Sequence, residues 1–501
     1  MRQINTTTQL LPHQQAAVDK VRGIKVSGLF MDMGTGKTRT VIELAKLRAP
    51  RIDHVLWICP VSLKETVRRE IMKHTDCTPE DIYVFGDKTD SALPKDKLWY
   101  IVGIESFSSS SRVTMAANAI ITDKTFVVMD ESSYIKGHNA IRTRRVTLLA
   151  EKAKYRTILT GTPLTQGIVD LFSQMYFLSP KILGYKSFYS FEANHLEYHP
   201  KRPGLVVRAH NVPYLAEKIK PYVYQCTKDE CMEIPDKLYK TRWVRLTDEQ
   251  EEAYEAAKEK FEHDMDELES RYTISYMSDD YPDSFWRRSS MLIFRLFTSL
   301  QTIVCGFERV RTGRDSFELR RYDSRRTEAL LDVVRSLPED KVIVWAKYLN
   351  SIEDISEALC EEYGKEKVCL YHGGLNAKQR DAELDRFEAK DGARFLVATQ
   401  SCGGHGLNLQ FCRWQIFFAN GFKYSERLQA EDRCHRHGQR RHVTYIDLCA
   451  SDTIDEKIDE ALTKKGSLLD AFRREVKRIK DDKDTGKADK VKKLKEMVRK
   501  L

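Results

Sequence analysis

The sequence lacks the features of membrane and secreted proteins. It contains no uninterrupted apolar run of about 18 residues or more, the length that a membrane-spanning helix requires. Residues 1–8 have no apolar region of the kind found in a signal peptide. The eleven cysteines are odd in number, scattered, and form no Cys-x-x-Cys pair. We therefore expect reduced thiols in a cytoplasmic protein, with neither a disulfide framework nor a zinc site.

Most of the chain also lacks an excess of charge of either sign. The net charge is +9, but residues 473–501 hold thirteen Lys or Arg and only six Asp or Glu, a net of +7. The remaining residues carry only +2. Basicity alone is therefore weak evidence for nucleic-acid binding. If the basic end contacts phosphates, each contact adds about 0.9 to the salt-dependence slope on duplex DNA.

What the sequence does contain is enough apolar material for two or three domains. Apolar residues make up 41% of the 501, so a disordered chain is excluded. Short apolar runs alternate with helix-like stretches such as 62–73 and 141–152, which is typical of an α/β fold with helices on both faces of a parallel sheet. The predicted strands lie at residues 55–59, 100–104, 126–129, 157–159, 342–345, 368–371, 395–398, 415–418 and 443–448.

Between the two α/β blocks the pattern changes. Residues 249–270 and 291–303 favour helices, whereas the acidic and aromatic residues 276–285 are typical of a loop. The end from about residue 466 is charged and favours helix or partial disorder. We expect the following parts: lobe one at 1–180, helical insertions and a linker at 181–325, lobe two at 326–465, and a basic charged tail at 466–501.

The strongest chemical motif is Met-Gly-Thr-Gly-Lys-Thr at residues 33–38, between an apolar run and a helical pattern. Glycines allow backbone N–H groups to close around phosphate oxygens at a helix N-terminus. Lys37 would neutralise the β- and γ-phosphates, and the Thr38 hydroxyl would ligate Mg²⁺. The strict phosphate-loop pattern has a glycine where Met31 stands. An ordinary surface turn is the alternative interpretation.

A second motif places two acids, Asp130 and Glu131, directly after an apolar run. In parallel sheets, ligands bind at the edge where strands end. Asp130 would hold Mg²⁺, and Glu131 would orient or deprotonate the attacking water. The alternative is an acidic pair that only ends a strand and begins a helix.

Two further motifs are weaker when taken alone. The Leu-Thr-Gly-Thr-Pro run at residues 159–163 follows a predicted strand, although Gly and Pro are common in any turn. Within residues 429–439, Arg433 and Arg436 are three apart and are predicted to share one face of a helix. Two guanidinium groups suit a γ-phosphate, as arginine fingers do, but a solvated basic helix is the usual alternative.

Together these motifs resemble the helicase-like ATPases of superfamily two, most closely the Swi/Snf (sucrose-nonfermenting) branch. Residues 10–14 resemble that family's glutamine motif, and residues 57–63 its motif Ia. Residues 401–409 and 429–439 resemble its motifs V and VI. Residues 226–237 resemble its linker before the second lobe. Motif II departs from the family, because Ser132 and Ser133 stand where relatives have Ala-His or Gly-His.

The resemblance implies two tandem RecA-like lobes, ATP and Mg²⁺ as cofactors, and DNA, duplex or branched, as the partner. It implies that Gln14 reads adenine and that residues from the second lobe complete the ATP site only when the lobes close. The residues implied in nucleotide binding are Gln14, Gly34, Thr35, Gly36, Lys37 and Thr38. Those implied in catalysis are Lys37, Asp130, Glu131, Arg433 and Arg436, and those implied in nucleic-acid backbone contact are Ser62, Lys64, Thr399 and Ser401.

The leading hypothesis is an ATP-dependent DNA translocase that remodels forks, junctions or protein–DNA complexes. A strand-separating DNA or RNA helicase is the alternative, ranked second because no long wedge hairpin is legible in the sequence. A nucleotide-gated scaffold without turnover is the alternative of another class. Size and architecture favour a compact bacterial or phage-like member near the nucleoid, with protein partners in replication, recombination or defence.

Overall fold

The computed structural model divides the chain into two compact units, Met1–Ile234 and Pro235–Leu501. Among the described residues, no helix is both long and apolar enough to cross a membrane. The structure describes residues 3–161, 168–198, 206–275, 280–313, 316–403, 407–482, 485–499 and 501.

The first unit is built on a seven-stranded parallel sheet. Its strand order is β3-β4-β2-β5-β6-β1-β9, and a small antiparallel pair, β7 and β8, stands apart from it. The strands are β1 (Val26–Met31), β2 (His54–Cys59), β3 (Ile82–Val84), β4 (Trp99–Gly103), β5 (Thr125–Asp130), β6 (Tyr155–Thr160), β7 (Leu196–Tyr198), β8 (Val206–Ala209) and β9 (Val223–Cys226). The helices are α1 (Pro12–Val21), α2 (Lys37–Arg48), α3 (Lys64–His74), α4 (Ser106–Ser109), α5 (Ser111–Ile120), α6 (Ile141–Ala150), α7 (Val169–Leu178), α8 (Pro180–Leu183), α9 (Phe188–His195), α10 (Val212–Ile219) and α11 (Lys228–Cys231).

Helices cover both faces of this sheet, and the strands are apolar for that reason. In β2, Leu56 and Ile58 pack into the apolar cluster on one face, whereas Val55 and Trp57 pack into the cluster on the other. All six residues of β2 are buried. A strand buried on both sides reads as a continuous apolar run, which is the pattern the sequence shows.

The second unit is built on a six-stranded parallel sheet of order β10-β17-β16-β13-β15-β14 and carries a separate hairpin, β11–β12. Its strands are β10 (Lys237–Val244), β11 (Phe307–Arg311), β12 (Phe317–Arg321), β13 (Val342–Ala346), β14 (Val368–Tyr371), β15 (Phe395–Thr399), β16 (Trp414–Phe417) and β17 (Val443–Ala450). Its helices are α12 (Asp248–Ser275), α13 (Asp283–Val304), α14 (Arg325–Ser336), α15 (Leu349–Tyr363), α16 (Ala377–Glu388), α17 (Gln400–Gly403), α18 (Tyr424–Glu431), α19 (Ile454–Thr463), α20 (Leu468–Asp481) and α21 (Lys487–Arg499).

The structure confirms the predicted α/β fold, with two parallel sheets flanked by helices. Each of the nine strands predicted from apolar runs is present. The helical middle is present as α12 and α13. The short strand β3, the pair β7–β8, the strands β9 and β10 and the hairpin β11–β12 were not predicted. In β10 and β12 exposed and charged residues break the apolar pattern, whereas β3, β7, β8 and β9 are only three or four residues long.

One pair of cysteines qualifies the expectation of reduced thiols throughout. The structure brings the sulfur atoms of Cys226, at the end of β9, and Cys231, at the end of α11, within bonding distance, with a Cα–Cα distance of 6.7 Å. The short helix α11 turns the chain back and so brings two cysteines five residues apart together. Sequence spacing alone gave no sign of this pairing.

The basic end of the chain belongs to a helical core. Helices α20 and α21 contribute apolar side chains to a cluster shared with α12, α13 and α19. Val476, Val491, Leu494 and Val498 are all buried there. The segment predicted as a charged, partly disordered end is therefore largely ordered helix with an apolar face in the described part of the chain.

Several basic side chains of this end also pair with acids. Lys490 lies 3.0 Å from Asp280, and Lys493 lies 2.8 Å from Asp482. Further ion pairs join Lys480 to Asp283, Lys495 to Asp266 and Arg499 to Glu262. Exposed pairs of this kind stabilise a fold by only about 0–1 kcal/mol each. They nevertheless offset part of the positive charge of the segment, which weakens the expectation that it is a phosphate anchor.

We predict that Leu494→Ala destabilises the second unit by about 2–5 kcal/mol, because it opens a cavity in a core that fully buries the leucine. Urea-induced unfolding measures the change. Lys492→Ala is the matched control, since Lys492 is exposed on the same helix. If the two variants unfold alike, α21 contributes nothing to the core.

Candidate active site

The loop between β1 and α2 is a tight turn that contains two glycines with positive φ. Gly34 and Gly36 both have φ of 82°, in the left-handed region that glycine tolerates. The Thr35 hydroxyl donates to the Asp32 carbonyl at 2.7 Å and tightens the turn. Helix α2 begins at Lys37, so its first N–H groups point into the loop. A Cβ on Gly36 would lie 2.1 Å from Gln14 Nε2, so this glycine is also required by close packing.

Gln14 and His13 hold the loop from the adjacent helix α1. The Gln14 amide donates to the Thr35 carbonyl at 3.1 Å, and its oxygen accepts from Leu11 N–H at 3.0 Å. His13 Nε2 also contacts the Thr35 carbonyl, at 2.7 Å. Gln14 is therefore placed next to the predicted phosphate loop, with both ends of its amide already bonded to backbone.

Lys37 and Asp32 connect the loop to the sheet. Lys37 Nζ donates to the carbonyls of Met31 and Asp32 at 2.7 and 3.1 Å, so its ammonium lies at the mouth of the loop. The Asp32 carboxylate accepts from Lys228 N–H at 3.0 Å, and Asp32 N–H donates to the Cys226 carbonyl. The unpredicted strand β9 and helix α11 therefore brace the loop.

Asp130 ends β5 at the same sheet edge. Its Oδ2 accepts from the indole of Trp57 at 3.2 Å. Burial and the neighbouring Glu131 carboxylate raise the pKa of Asp130 to about 6, while the positive charge of Lys37 opposes the rise. An oxygen ligand that is partly desolvated and close to a lysine suits a divalent cation, which supplies the missing positive charge.

Glu131 occupies a strained backbone position. Its φ is 55°, unusual for a residue with a side chain. Its Oε1 accepts from the Ser133 hydroxyl at 2.7 Å and from the Thr160 hydroxyl at 3.2 Å. Ser132 instead donates to Gln174 of α7 at 2.6 Å. Ser132 thus ties motif II to α7, and Ser133 orients Glu131 within the motif.

The donor set fits a magnesium–nucleotide complex. The glycine loop and the N-terminus of α2 offer N–H groups, Lys37 offers a positive charge, and Asp130 and Thr38 offer oxygen atoms of the kind that Mg²⁺ prefers. Thr38 lies in the first turn of α2 and is partly exposed. The structure brings Lys37 close enough to Asp130 for electrostatic interaction.

The four residues predicted to contact nucleic acid differ in exposure and in hydrogen bonding. Ser62 is exposed, and Lys64 donates to the Phe85 carbonyl at 2.7 Å. Thr399 ends β15 and is 6% exposed, and its hydroxyl has no hydrogen-bond partner among the described residues. Ser401 is exposed in α17. Residues 162–163 of the Leu-Thr-Gly-Thr-Pro run and residues 404–406 of the motif V segment lie outside the described residues.

The prediction that Arg433 and Arg436 share a helix face is wrong. Helix α18 ends at Glu431, and both arginines lie in the turns that follow. They nevertheless converge, because each donates to the Leu407 carbonyl, at 3.3 and 2.9 Å. The common acceptor, supplied by the segment after β15, brings the two guanidinium groups together without a helix.

Sequence reasoning did not assign roles to Trp57, Thr160 or Gln174 at this site. Trp57 and Thr160 contact the two acids, and Gln174 binds the next residue, Ser132. Thr160 had a readable signal, because it ends the strand next to β5 and must therefore lie at the same edge. Gln174 had none, since its contact depends on the packing of α7.

We predict that Asp130→Asn stabilises the metal-free protein by at most about 3 kcal/mol at pH 7.5. A raised pKa stabilises the folded state at low pH, and that contribution is lost as pH rises through about 6. The advantage of the variant should therefore be smaller at pH 5 than at pH 7.5, as measured by urea unfolding in EDTA. Asp123→Asn is the control, because Asp123 is exposed and its pKa is lowered by Lys154. An equal gain in the control would contradict the assignment.

Comparison with known proteins agrees with this geometry. Residues 13–287 match the SNF2-related domain, and residues 325–438 match the helicase conserved C-terminal domain. An uncharacterized ATP-dependent helicase of Mycoplasma pneumoniae is 25% identical over 479 residues, covering 92% of this chain and 42% of that protein. The DNA annealing helicase and endonuclease ZRANB3 of Homo sapiens is 24% identical over 493 residues, covering 95% of this chain and 42% of that protein.

The same architecture occurs among solved structures. The helicase domain of Hef from Pyrococcus furiosus shares the fold, with a TM-score of 0.53 and 15% identity over 89% of this chain and 96% of that chain. The chain spans less than half the length of the two curated relatives. The match to the SNF2-related domain covers more than half of the sequence and agrees with the loop and acid pair described above. The chain therefore belongs to the SNF2-related family.

Proposed function

We propose that this chain is an ATP-dependent DNA translocase of the Swi/Snf type, acting on duplex or branched DNA. Hydrolysis of ATP would drive its movement and remodel forks, junctions or protein–DNA complexes. One observation carries the proposal: the glycine loop, Lys37, Asp130 and Glu131 lie together at one sheet edge of a chain of the SNF2-related family.

In this proposal the first unit binds the nucleotide. The backbone N–H groups of residues 34–38 and the Lys37 ammonium hold the phosphates. The Thr38 hydroxyl and the Asp130 carboxylate hold Mg²⁺. Gln14 contacts adenine in addition to supporting the loop. When bound, Mg²⁺ neutralises developing negative charge on the transferred phosphoryl group.

Glu131 is the proposed group that orients or deprotonates the attacking water. The Ser133 and Thr160 hydroxyls both donate to one carboxylate oxygen, which fixes the orientation of the group. Arg433 and Arg436 are the proposed arginine fingers, which would stabilise transition-state charge. Their shared bond to the Leu407 carbonyl supports a common direction for the two guanidinium groups.

Ser62, Lys64, Thr399 and Ser401 are the proposed contacts to the nucleic-acid backbone, and the buried Thr399 hydroxyl would have to become exposed on binding. Hydroxyl and ammonium groups bind phosphates without reading base sequence, as a translocase requires. The name of the human relative, a DNA annealing helicase, supports DNA as the polymer.

The decisive experiment measures phosphate release with duplex DNA, single-stranded DNA, branched DNA and RNA as separate stimulants. We expect duplex or branched DNA to stimulate most. If none of the four polymers stimulates hydrolysis, the translocase proposal fails. If DNA does stimulate hydrolysis, displacement of a triplex strand without separation of a forked duplex would support translocation over unwinding.

Strand separation is a second candidate. It was ranked second because no long wedge hairpin was found in the sequence, and the structure contains a hairpin, β11–β12. The hairpin exposes Phe317 by 56%, and the Arg309 guanidinium lies 5.3 Å from the centre of that ring. An exposed aromatic beside an arginine suits stacking on unpaired bases. ATP-dependent separation of a forked duplex would favour this candidate.

We predict that Glu131→Gln retains ATP binding but lowers kcat about 100-fold or more, because the amide cannot accept the proton of the attacking water. Nucleotide binding is measured by equilibrium titration and turnover by phosphate release. Glu80→Gln is the control, as Glu80 is exposed. Wild-type turnover in the Glu131 variant would overturn the assigned role. Slow turnover in both wild type and variant would favour a nucleotide-gated scaffold.

A further inference from the structure

Two parts of the second unit that are far apart in sequence are tightly joined. The entry segment, residues 235–239, is where the chain enters this unit. The arginine turn, residues 432–438, contains Arg433 and Arg436. Near this turn, Glu431 ends α18 and accepts three donors, from Lys237, Tyr239 and Arg427, each at 2.8 Å. Two of these donors belong to the entry segment.

More contacts join the same two segments. Lys237 Nζ also lies 3.4 Å from the Asp432 carboxylate. His435 Nε2 contacts the Pro235 carbonyl at 3.0 Å. Just beyond the turn, His442 Nδ1 contacts the Asp236 carbonyl at 3.2 Å. The entry segment therefore contacts the turn at its beginning and its middle.

These contacts lie in a largely desolvated place. Glu431 is 5% exposed and Asp432 is 6% exposed. Burial alone would lower the pKa of Lys237, but Glu431 and Asp432 beside it raise the pKa above its ordinary value. Tyr239 stacks on Tyr445 with ring centres 5.1 Å apart. Removing one partner would leave a buried carboxylate short of a donor, which is costly.

Backbone bonds carry the effect from Glu431 into the turn. The N–H groups of Cys434 and His435 both donate to the Glu431 carbonyl, at 3.3 Å. That same carbonyl accepts from Gln415 and from the Tyr445 hydroxyl, each at 3.2 Å. The position of Glu431 thus fixes the backbone on which Arg433 and Arg436 stand.

We propose that Lys237 and Tyr239 are positioning residues that hold the arginine turn, through Glu431, in the geometry needed for hydrolysis. The catalytic part of this inference rests on the proposed function. The positioning part concerns only contacts within the second unit. The entry segment is the first part of that unit along the chain. The position of the two arginines therefore depends on contacts made where the chain enters the unit.

The test compares Lys237→Met, Lys237→Arg and Tyr239→Phe with wild type. Lys240→Met is the matched control, because Lys240 is exposed on the same strand, β10. Tyr239→Phe removes only a hydroxyl from a half-exposed ring, so it tests the proposal even if Lys237→Met fails to fold. Thermal unfolding checks that each variant is folded.

The first readout is hydrogen exchange of the backbone amides of the arginine turn in the free protein. We expect Lys237→Met and Tyr239→Phe to raise exchange there about tenfold, while residues 33–38 and the control stay at wild-type rates. Lys237→Arg should leave hydrogen exchange of the turn close to the wild-type rate, because arginine retains a positive charge next to Glu431. Unchanged exchange in folded Lys237→Met and Tyr239→Phe would overturn the positioning role, whether or not the protein hydrolyses ATP.

The second readout is DNA-stimulated hydrolysis. We expect Lys237→Met to lower kcat about tenfold or more with KM for ATP within about twofold of wild type, since the arginines act in the transition state. Looser exchange with unchanged kcat would overturn the catalytic part. Absence of hydrolysis in the wild type would instead refute the proposed function, and the exchange readout would still decide the positioning role.

Discussion

Parallel strand pairing is the constraint on which the candidate site depends. Because β1, β5 and β6 run in the same direction and in register, the segments that follow them emerge at one edge of the sheet. The pairings place Phe30 opposite Thr160 and Asp130 opposite Leu159. The order of the parallel strands is therefore sufficient to bring the glycine loop, the acid pair and the Thr160 hydroxyl together.

That edge concentrates charge and strain in a small volume. The carboxyl group of Asp130 has a raised pKa, Glu131 has a positive φ, and Gly36 has no room for a side chain. The raised pKa of Asp130 and the positive φ of Glu131 cost stability in the free protein, and a bound cation would relieve the first of these. The rest of the first unit, with strands buried on both faces, supplies the stability that tolerates the site.

The sequence was informative wherever burial is two-sided or the chemistry is local. Buried strands read as apolar runs, and the glycine loop and the acid pair read as short motifs. It was uninformative for β10, where exposed Lys240 and Trp243 conceal an edge strand. It also misjudged the arginine turn, because residue spacing cannot reveal that α18 stops at Glu431. Contacts such as Ser132 with Gln174 depend on packing between helices and have no local signature.

The two glutamates that matter most differ in how their oxygens are used. Glu431 accepts donors on both oxygens, two of them charged, so its carboxylate is fully committed to holding the arginine turn. In the described part of the chain, the donors to Glu131 both reach Oε1 and none reaches Oε2. A carboxylate fixed through one oxygen keeps its direction and has a lone pair to accept a proton. Hydrogen-bond saturation thus separates the glutamate suited to positioning from the one suited to chemistry.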